Sequence, residues 1–155
     1  VCLKKNSASD RENAASTEKK VSAGLREMSM ELPVPGILES PFGVFESKIF
    51  SYKKQKIEEK KYTKWFDYDK IKNSPCVRTR RQGDYLTVNS EGGRKKLNRI
   101  FIDEKIPAEM RDRLPVVAVG SEILWIPGGR MNEKYKITST TGRVLELHYQ
   151  GGALA

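Results

Sequence analysis

Short runs of apolar residues, separated by turn residues, recur through most of the 155-residue chain. In most runs the composition and spacing are typical of β-strands, whereas one stretch has the three-to-four-residue spacing of an amphipathic helix. The pattern predicts strands over 44–52, 61–66, 76–81, 85–88, 116–119, 123–126, 134–138 and 143–149. It predicts a helix over 94–104 and a short second helix over 108–113, which Pro107 starts and Pro115 stops.

These elements predict an α+β fold of mostly antiparallel sheets with two short helices. The strands over 44–52 and 61–66 are expected to pair as a hairpin with a lysine-rich tip. Residues 1–30, rich in Ser, Ala, Lys and Glu and without an aromatic residue, predict a linker or partly disordered connector, and 31–155 the folded domain. The first residue, Val1, suggests a fragment or a processed chain.

The net charge of +9 predicts attraction to polyanions, and the 37% of hydrophobic residues can bury a moderate core. No run approaches the ~20 apolar residues of a membrane-spanning helix, so a soluble chain is expected. Two stretches carry an excess of bases. In the stretch over 48–64 every basic residue is a lysine, and this stretch is interpreted as a solvated hairpin. The one over 78–99 is rich in arginine, whose planar guanidinium suits phosphate.

The arginine-rich stretch is therefore the candidate binding face. Because strand side chains alternate, Val77 and Thr79 are expected to point into the core, and Arg78 and Arg80 outward. The helix over 94–104 is expected to add its N-terminal amides and the bases opposite its apolar face. The predicted phosphate contacts are Arg78, Arg80, Arg81, Lys95, Lys96 and Arg99, followed by Arg111, Arg113 and Arg130.

The last three of these bases have structural alternatives. Arg111 or Arg113 could pair with Asp103, Glu109 or Asp112 to fix the short helix, and Arg130 could merely follow a tight turn. No catalytic or metal-binding set of residues stands out. The single histidine, His148, has no cysteine or carboxylate cluster at ligand spacing, and the two cysteines are too few for a zinc cluster.

Several motifs follow one another in an order that resembles the C-terminal domain of bacterial tRNA(Ile)-lysidine synthase. The motifs are Trp-Phe-Asp-Tyr-Asp-Lys-Ile over 65–71, Arg-Thr-Arg-Arg-Gln-Gly-Asp-Tyr over 78–85, Lys-Lys-Leu over 95–97, Phe-Ile-Asp-Glu-Lys-Ile-Pro over 101–107, Arg-Asp-Arg-Leu-Pro over 111–115, and Leu-Trp-Ile-Pro-Gly-Gly-Arg over 124–130. Two positions depart from the family's pattern. Gln82 stands where proline is usual, and Asn98 where a further lysine often follows.

The resemblance implies a cytoplasmic ligase that uses ATP to attach lysine to the wobble cytidine of an isoleucine tRNA. In that family the chemistry belongs to an N-terminal domain with a Ser-Gly-Gly-x-Asp-Ser loop, which this chain lacks. The resemblance therefore implies that this chain has no catalytic residue and no binding site for ATP or for the substrate lysine. It also implies that the partner is tRNA, which the chain grips through the tRNA body toward the acceptor stem. The oligomeric state is left open.

The family's fold also resembles the B3/B4-type module of the β subunit of phenylalanyl-tRNA synthetase. The related module there edits mischarged tRNA, so a hydrolytic editing-type domain acting on aminoacyl-tRNA is one alternative, although no base to activate a water is evident. A second alternative is a basic module that docks an acidic protein.

Overall fold

The computed structural model describes residues 29–57 and 60–151. Over these residues the strands are β1 (Ser29–Glu31), β2 (Gly36–Ser40), β3 (Gly43–Ser51), β4 (Thr63–Asp67), β5 (Cys76–Arg78), β6 (Tyr85–Thr87), β7 (Arg94–Lys96), β8 (Val116–Val119), β9 (Glu122–Trp125) and β10 (Arg143–Gly151). The α-helices are α1 (Leu97–Asp103) and α2 (Ala108–Arg111), and short 3-10 helices span Tyr68–Lys70 and Glu133–Tyr135.

The strands form two sheets. One has six strands in the order β1-β5-β8-β9-β6-β7, and the other has four in the order β2-β3-β10-β4. Neighbouring strands run antiparallel except β6 and β9, which meet in parallel at Tyr85 and Glu122. The predicted α+β class, with mostly antiparallel sheets and two short helices, is confirmed. The likeness to a B3/B4-type module stays a prediction.

Hydrophobic side chains fill both sides of the six-stranded sheet. Between the two sheets lies a cluster that includes Phe45, Phe66, Val77 and Trp125. On the opposite side a second cluster joins Val116, Ala118 and Ile123 to the helix α1. The six-stranded sheet is therefore the middle layer of three, and neither of its faces is left open along its central strands.

Helix α1 forms because its apolar residues recur on one side. Leu97, Ile100 and Phe101 are buried at 1% exposure each, as the helical spacing predicts. The helix ends where Lys105 takes a left-handed backbone conformation, with φ of 59°, and the amide of Ile106 donates to the carbonyl oxygen of Phe101.

The predicted hairpin of 44–52 and 61–66 is wrong in its pairing. Both stretches are strands, β3 and β4, but β10 lies between them. Leu145 of β10 pairs with Ile49 on one side and Phe66 on the other. The long, alternating β10 presents Leu145 and Leu147 to the core and uses both of its edges, so a strand from the end of the chain separates the two expected partners.

Three further assignments differ from the sequence pattern. The first residues of the predicted helix, 94–96, form the strand β7 opposite β6, and the helix begins at Leu97. The predicted strand 134–138 is absent: its first residues belong to the 3-10 helix Glu133–Tyr135, which the side chain of Asn132 caps at the amide of Lys134, and 136–138 have no regular structure. Strands β1 and β2 were not predicted, and residues 1–28 of the predicted linker lie outside the described residues.

Candidate nucleic-acid interface

Arg78, which was expected to project outward, lies inside the protein. Its side chain is 3% exposed, and its two terminal nitrogens each donate to an oxygen of Asp84 at 2.9 Å. They also donate to the carbonyl oxygens of Thr79 and Gly120. The alternation rule correctly put Val77 and Arg78 on opposite faces, but Val116, the strand partner of Arg78, belongs to the cluster under α1. The expectation of an exposed Arg78 is wrong because both faces of this strand are covered.

Asp84 connects this ion pair to the rest of the loop. Its Oδ2 atom accepts the backbone N–H of Arg81 at 2.7 Å, and its carbonyl oxygen accepts the N–H of Leu97 at 2.9 Å. One buried residue therefore holds strand β5, the loop that carries Arg80 and Arg81, and the first residue of α1. A buried carboxylate with these partners keeps the loop in one conformation.

Arg80 and Arg81 lie beside an open cleft of about 390 Å³. The cleft is lined by Arg80, Arg81, Gln82, Asn98 and Asp112. Arg80 bridges its two sides, because its Nε donates to Asp112 at 2.8 Å and its terminal nitrogen to Asn98 at 2.9 Å. The expectation that Arg80 points outward is met only in part, since its side chain is 24% exposed and already carries an ion pair.

Arg81 is the exposed base of the cleft. Partial desolvation, followed by repulsion from Arg78, lowers the pKa of Arg81, while attraction to Asp84 opposes the shift. The guanidinium still stays protonated at neutral pH. Among the residues that the structure describes, its side chain has no ion-pair partner, so this charge is available to a ligand.

A second basic group lies on the other side of α1. Asp103 accepts Lys95 at 2.5 Å and Arg99 at 3.3 Å. The hydrogen bond from Lys95 is the largest cause that lowers the pKa of Asp103; desolvation opposes it, and the charges of Lys95, Arg99 and Arg130 lower the pKa further. One carboxylate thus faces three cations, and the group keeps a positive excess.

Arg130 completes this second group from the loop after β9. Its side chain is half-buried, and one terminal nitrogen donates weakly to the carbonyl oxygen of Val88 at 3.4 Å. Its Nε has no hydrogen-bond partner among the described residues. The tight turn that could by itself account for Arg130 is also present, since the amide of Gly129 donates to the carbonyl oxygen of Ile126.

Lys96 does not act together with Lys95. The two are neighbours on strand β7, so their side chains leave opposite faces of the sheet. Lys95 is paired with the buried Leu86 and lies on the α1 side, whereas Lys96 is paired with Tyr85. Arg94 lies over the ring of Tyr85 at 4.6 Å, on the Lys96 side. The prediction that both lysines belong to the helix is therefore wrong, because 94–96 is a strand.

Arg111 and Arg113 do not pair with the carboxylates that were considered. Arg111 is half-buried, and its Nε donates to the carbonyl oxygen of Ile106 at 2.9 Å, which braces the turn before α2. Arg113 is exposed and has no side-chain ion pair within 29–57 and 60–151. Asp112 pairs instead with Arg80 from the cleft.

Helix α1 joins the two basic groups into one region. Asn98 lines the cleft, and the adjacent Arg99 belongs to the second group. We define the basic surface as the cations that flank α1, namely Arg80, Arg81, Lys95, Arg99 and Arg130. Two carboxylates, Asp103 and Asp112, lie among these five cations. Of the nine predicted residues, Arg78 is buried and Lys96 faces the other side of the sheet, while Arg111 ends α2 and Arg113 follows it.

The sequence reasoning assigned no role to Asp84, and it offered Asp103 and Asp112 only as partners of Arg111 or Arg113. Asp84 organises the loop, and Asp103 and Asp112 set the charge around the cations. Gln82 and Asn98 had been noticed only as departures from the family's pattern, yet both line the cleft. The signal in the sequence was that both departures from the family's pattern fall beside predicted phosphate contacts, Gln82 next to Arg81 and Asn98 next to Arg99.

The glycine turn before β7 does not offer a phosphate cradle. The side-chain oxygen of Asn89 accepts the amides of Glu91 and Gly93 at 3.0 and 2.9 Å. The space beside Gly93 is filled by the same Asn89 amide, 2.7 Å from where a Cβ would stand. These donors are therefore already used, as expected for a structural turn.

Other features of the described chain point to no further chemistry. A second cleft of about 440 Å³ lies between the 31–34 and 68–75 segments, and none of the nine predicted bases lines it. Within 29–57 and 60–151, no group of three His, Cys, Asp or Glu side chains is placed to hold a metal ion. In the same residues, no helix has the length and apolar character needed to cross a membrane.

Comparison with known proteins gives a consistent result. The family model described as the TilS substrate C-terminal domain matches residues 76–147. A crystal structure described as the TilS C-terminal domain aligns with a TM-score of 0.68 and 33% sequence identity, covering 80% of this chain and 96% of that one.

Curated proteins with the same family name match at higher identity. The tRNA(Ile)-lysidine synthase of Caldanaerobacter subterraneus is 50% identical over 88 residues, which is 57% of this chain and 19% of that protein. The enzyme of the same name from Clostridium perfringens is 38% identical over 110 residues, 70% of this chain and 23% of that protein. The chain spans about a fifth of the length of the curated relatives it matches.

Proposed function

Because this chain belongs to the family of tRNA(Ile)-lysidine synthase C-terminal domains, we propose that it binds the tRNA that the whole enzyme modifies. The basic surface around α1 holds the phosphates of the tRNA body, toward the acceptor stem. The chain itself carries out no bond-forming step in this proposal. Its role is to hold the tRNA so that the anticodon reaches a distant active site.

The observation that carries this proposal is the charge of the basic surface together with the ion pairs and hydrogen bonds that position its side chains. Arg80, Lys95 and Arg99 are each positioned by a carboxylate, and the loop of Arg81 is tied down by Asp84. An RNA helix hides its base edges in a narrow groove, so proteins hold it mainly through phosphates and 2′-hydroxyls. Cations that carboxylates already position around one helix match that target, and such preorganisation lowers the entropy cost of binding.

For the whole protein, we propose the family's reaction. ATP activates the wobble cytidine of an isoleucine tRNA, and lysine is attached to it in the cytoplasm. The chain's own glycine turn does not fit the phosphates of ATP, since Asn89 occupies its amides. In this proposal the ATP and lysine sites belong to another part of the enzyme, and this chain supplies affinity and orientation for the tRNA.

The test is tRNA binding by the chain over a range of salt concentrations. The chain is expected to shift an isoleucine tRNA in a gel, and the logarithm of its affinity is expected to fall linearly with the logarithm of salt concentration because phosphate contacts release counterions. Affinity that does not change with salt would contradict the proposal. The editing alternative predicts release of amino acid from mischarged tRNA, and the docking alternative predicts neither result.

A further inference from the structure

We propose that the cleft at Arg80, Arg81 and Asp112 is a subsite for one ribose–phosphate unit of RNA, in which Asp112 accepts the 2′-hydroxyl. This inference rests on the proposed function and adds to it the residue that recognises ribose. The basic surface explains attraction to any nucleic acid, whereas the cleft distinguishes RNA from a backbone without the hydroxyl.

The phosphate side of the subsite is Arg81. Its guanidinium is exposed at the cleft and has no ion-pair partner among the described residues, while its backbone is fixed by the bond from its N–H to Asp84 at 2.7 Å. An arginine held in this way presents a planar fork of donors to a phosphate. The side chain of Arg80 is used differently, because Asp112 and Asn98 already accept two of its nitrogens.

The ribose side of the subsite is Asp112. Arg80 Nε engages its Oδ1, while its Oδ2 has no hydrogen-bond partner in the described part of the chain. The side chain is 45% exposed and lines the cleft, so the unused oxygen is within reach of a ligand. A carboxylate repels phosphate, so a cleft meant for phosphate alone would be better without it.

A ligand that carries an anion next to a donating O–H satisfies both sides of the cleft, because Arg81 donates and the free oxygen of Asp112 accepts. Between consecutive phosphates of an RNA strand, the 2′-hydroxyl is the backbone's hydrogen-bond donor, and it is the group by which proteins distinguish RNA from DNA. The cleft therefore offers a donor for phosphate and an acceptor for the adjacent hydroxyl. The amides of Gln82 and Asn98 line the same space and can add hydrogen bonds to the sugar oxygens.

The test compares two hairpins of one sequence, a plain RNA and a 2′-fluoro RNA. Fluorine at the 2′ position keeps the A-form shape but cannot donate a hydrogen bond. The parent chain is expected to prefer the plain RNA by about tenfold, the effect of one hydrogen bond to a charged acceptor. Asp112→Ala is expected to reduce this preference to about twofold or less, while its affinity for the fluoro hairpin rises because a negative charge is removed.

Asp69→Ala is the matched control, since Asp69 has the same 45% exposure and also pairs with an arginine, Arg143, which lies on β10 of the four-stranded sheet. Its preference for plain RNA should equal the parent's. If Asp112→Ala does not fold, Asp112→Asn, which keeps a neutral acceptor, should still show a reduced preference.

Equal binding of the two hairpins by the parent would overturn the subsite while leaving the proposed function intact. An unchanged preference in the Asp112 variants would overturn it as well and show that Asp112 is only a counter-ion. If the parent binds neither hairpin at low salt, the proposed function fails together with the subsite.

Discussion

Arg78 and Asp84 face each other as a two-bonded ion pair inside the protein, with both N–O distances at 2.9 Å and side-chain exposures of 3% and 2%. Removing one partner of such a pair leaves an uncompensated buried charge. Because Asp84 also accepts the N–H of Arg81, the pair contributes to the shape of the binding loop as well as to the stability of the fold.

Asp84→Ala is therefore expected to lower the free energy of unfolding by ~3 to 5 kcal/mol, measured by urea denaturation. Asp69→Ala is the matched control, because the Asp69–Arg143 pair has the same chemistry at the surface, and its loss is expected to cost at most ~1 kcal/mol. Equal losses in the two variants would show that burial of the Arg78 pair has no energetic role.

The core under α1 gives a second prediction. Phe101 is 1% exposed and Ile102 is 49% exposed, although they are neighbours on one helix. Phe101→Ala is expected to cost ~3 to 5 kcal/mol because it leaves a cavity in the cluster with Ile100 and Ile123. Ile102→Ala should change stability by no more than ~0.5 kcal/mol. A melting temperature of Phe101→Ala equal to the parent's would contradict this assignment of the core.

Arg81 is expected to contribute one phosphate contact. Arg81→Gln should weaken tRNA binding and reduce the slope of log affinity against log salt by about one. Lys48→Gln removes the same charge from an exposed position on β3, in the other sheet, and should leave the slope unchanged. Filter binding at four or more salt concentrations checks both variants. A slope that changes equally in both would mean that only net charge matters.

Lys95 and Lys96 should contribute unequally. Lys95 lies on the α1 side of the sheet and Lys96 on the other, so only Lys95 belongs to the basic surface. Lys95→Gln is expected to weaken tRNA binding about five- to tenfold, whereas Lys96→Gln should stay within about twofold, because exposed charges farther away are screened by salt. The comparison of the two dissociation constants is the measurement, and a larger effect at Lys96 would show that the opposite face binds the RNA.

The pKa of Asp103 reports the second basic group directly. Its folded pKa is below the ordinary aspartate value, first because of the hydrogen bond from Lys95. The contribution of this pairing to stability is therefore present above the ordinary aspartate pKa and is lost as the pH falls through the lowered folded pKa. In Lys95→Gln, the pKa of Asp103 should rise toward the ordinary value, as followed by carbon NMR of the carboxyl group. An unchanged titration would show that Lys95 does not bond to Asp103 in solution.

Local pattern alone determined much of the framework. Strand β8 lies where its apolar run predicts it, and the helical spacing of Leu97, Ile100 and Phe101 correctly identified the buried side of α1. The order of motifs also indicates the family without reference to the fold. These features depend on neighbouring residues and on the period of one element, so one sequence is enough to read them.

Tertiary structure decided what depends on distant residues. β3 and β4 are both strands, but β10, about 80 residues farther along than β4, separates them. Arg78 takes the strand face that alternation predicts, yet α1 and its cluster cover that face. The buried charge of Arg78 is therefore neutralised by Asp84. Lys95 and Lys96 diverge because β6 pairs with them as a strand before the helix begins. In each case the periodicity assigns a side chain to a face, and only the packing of remote elements decides whether that face meets water or another layer.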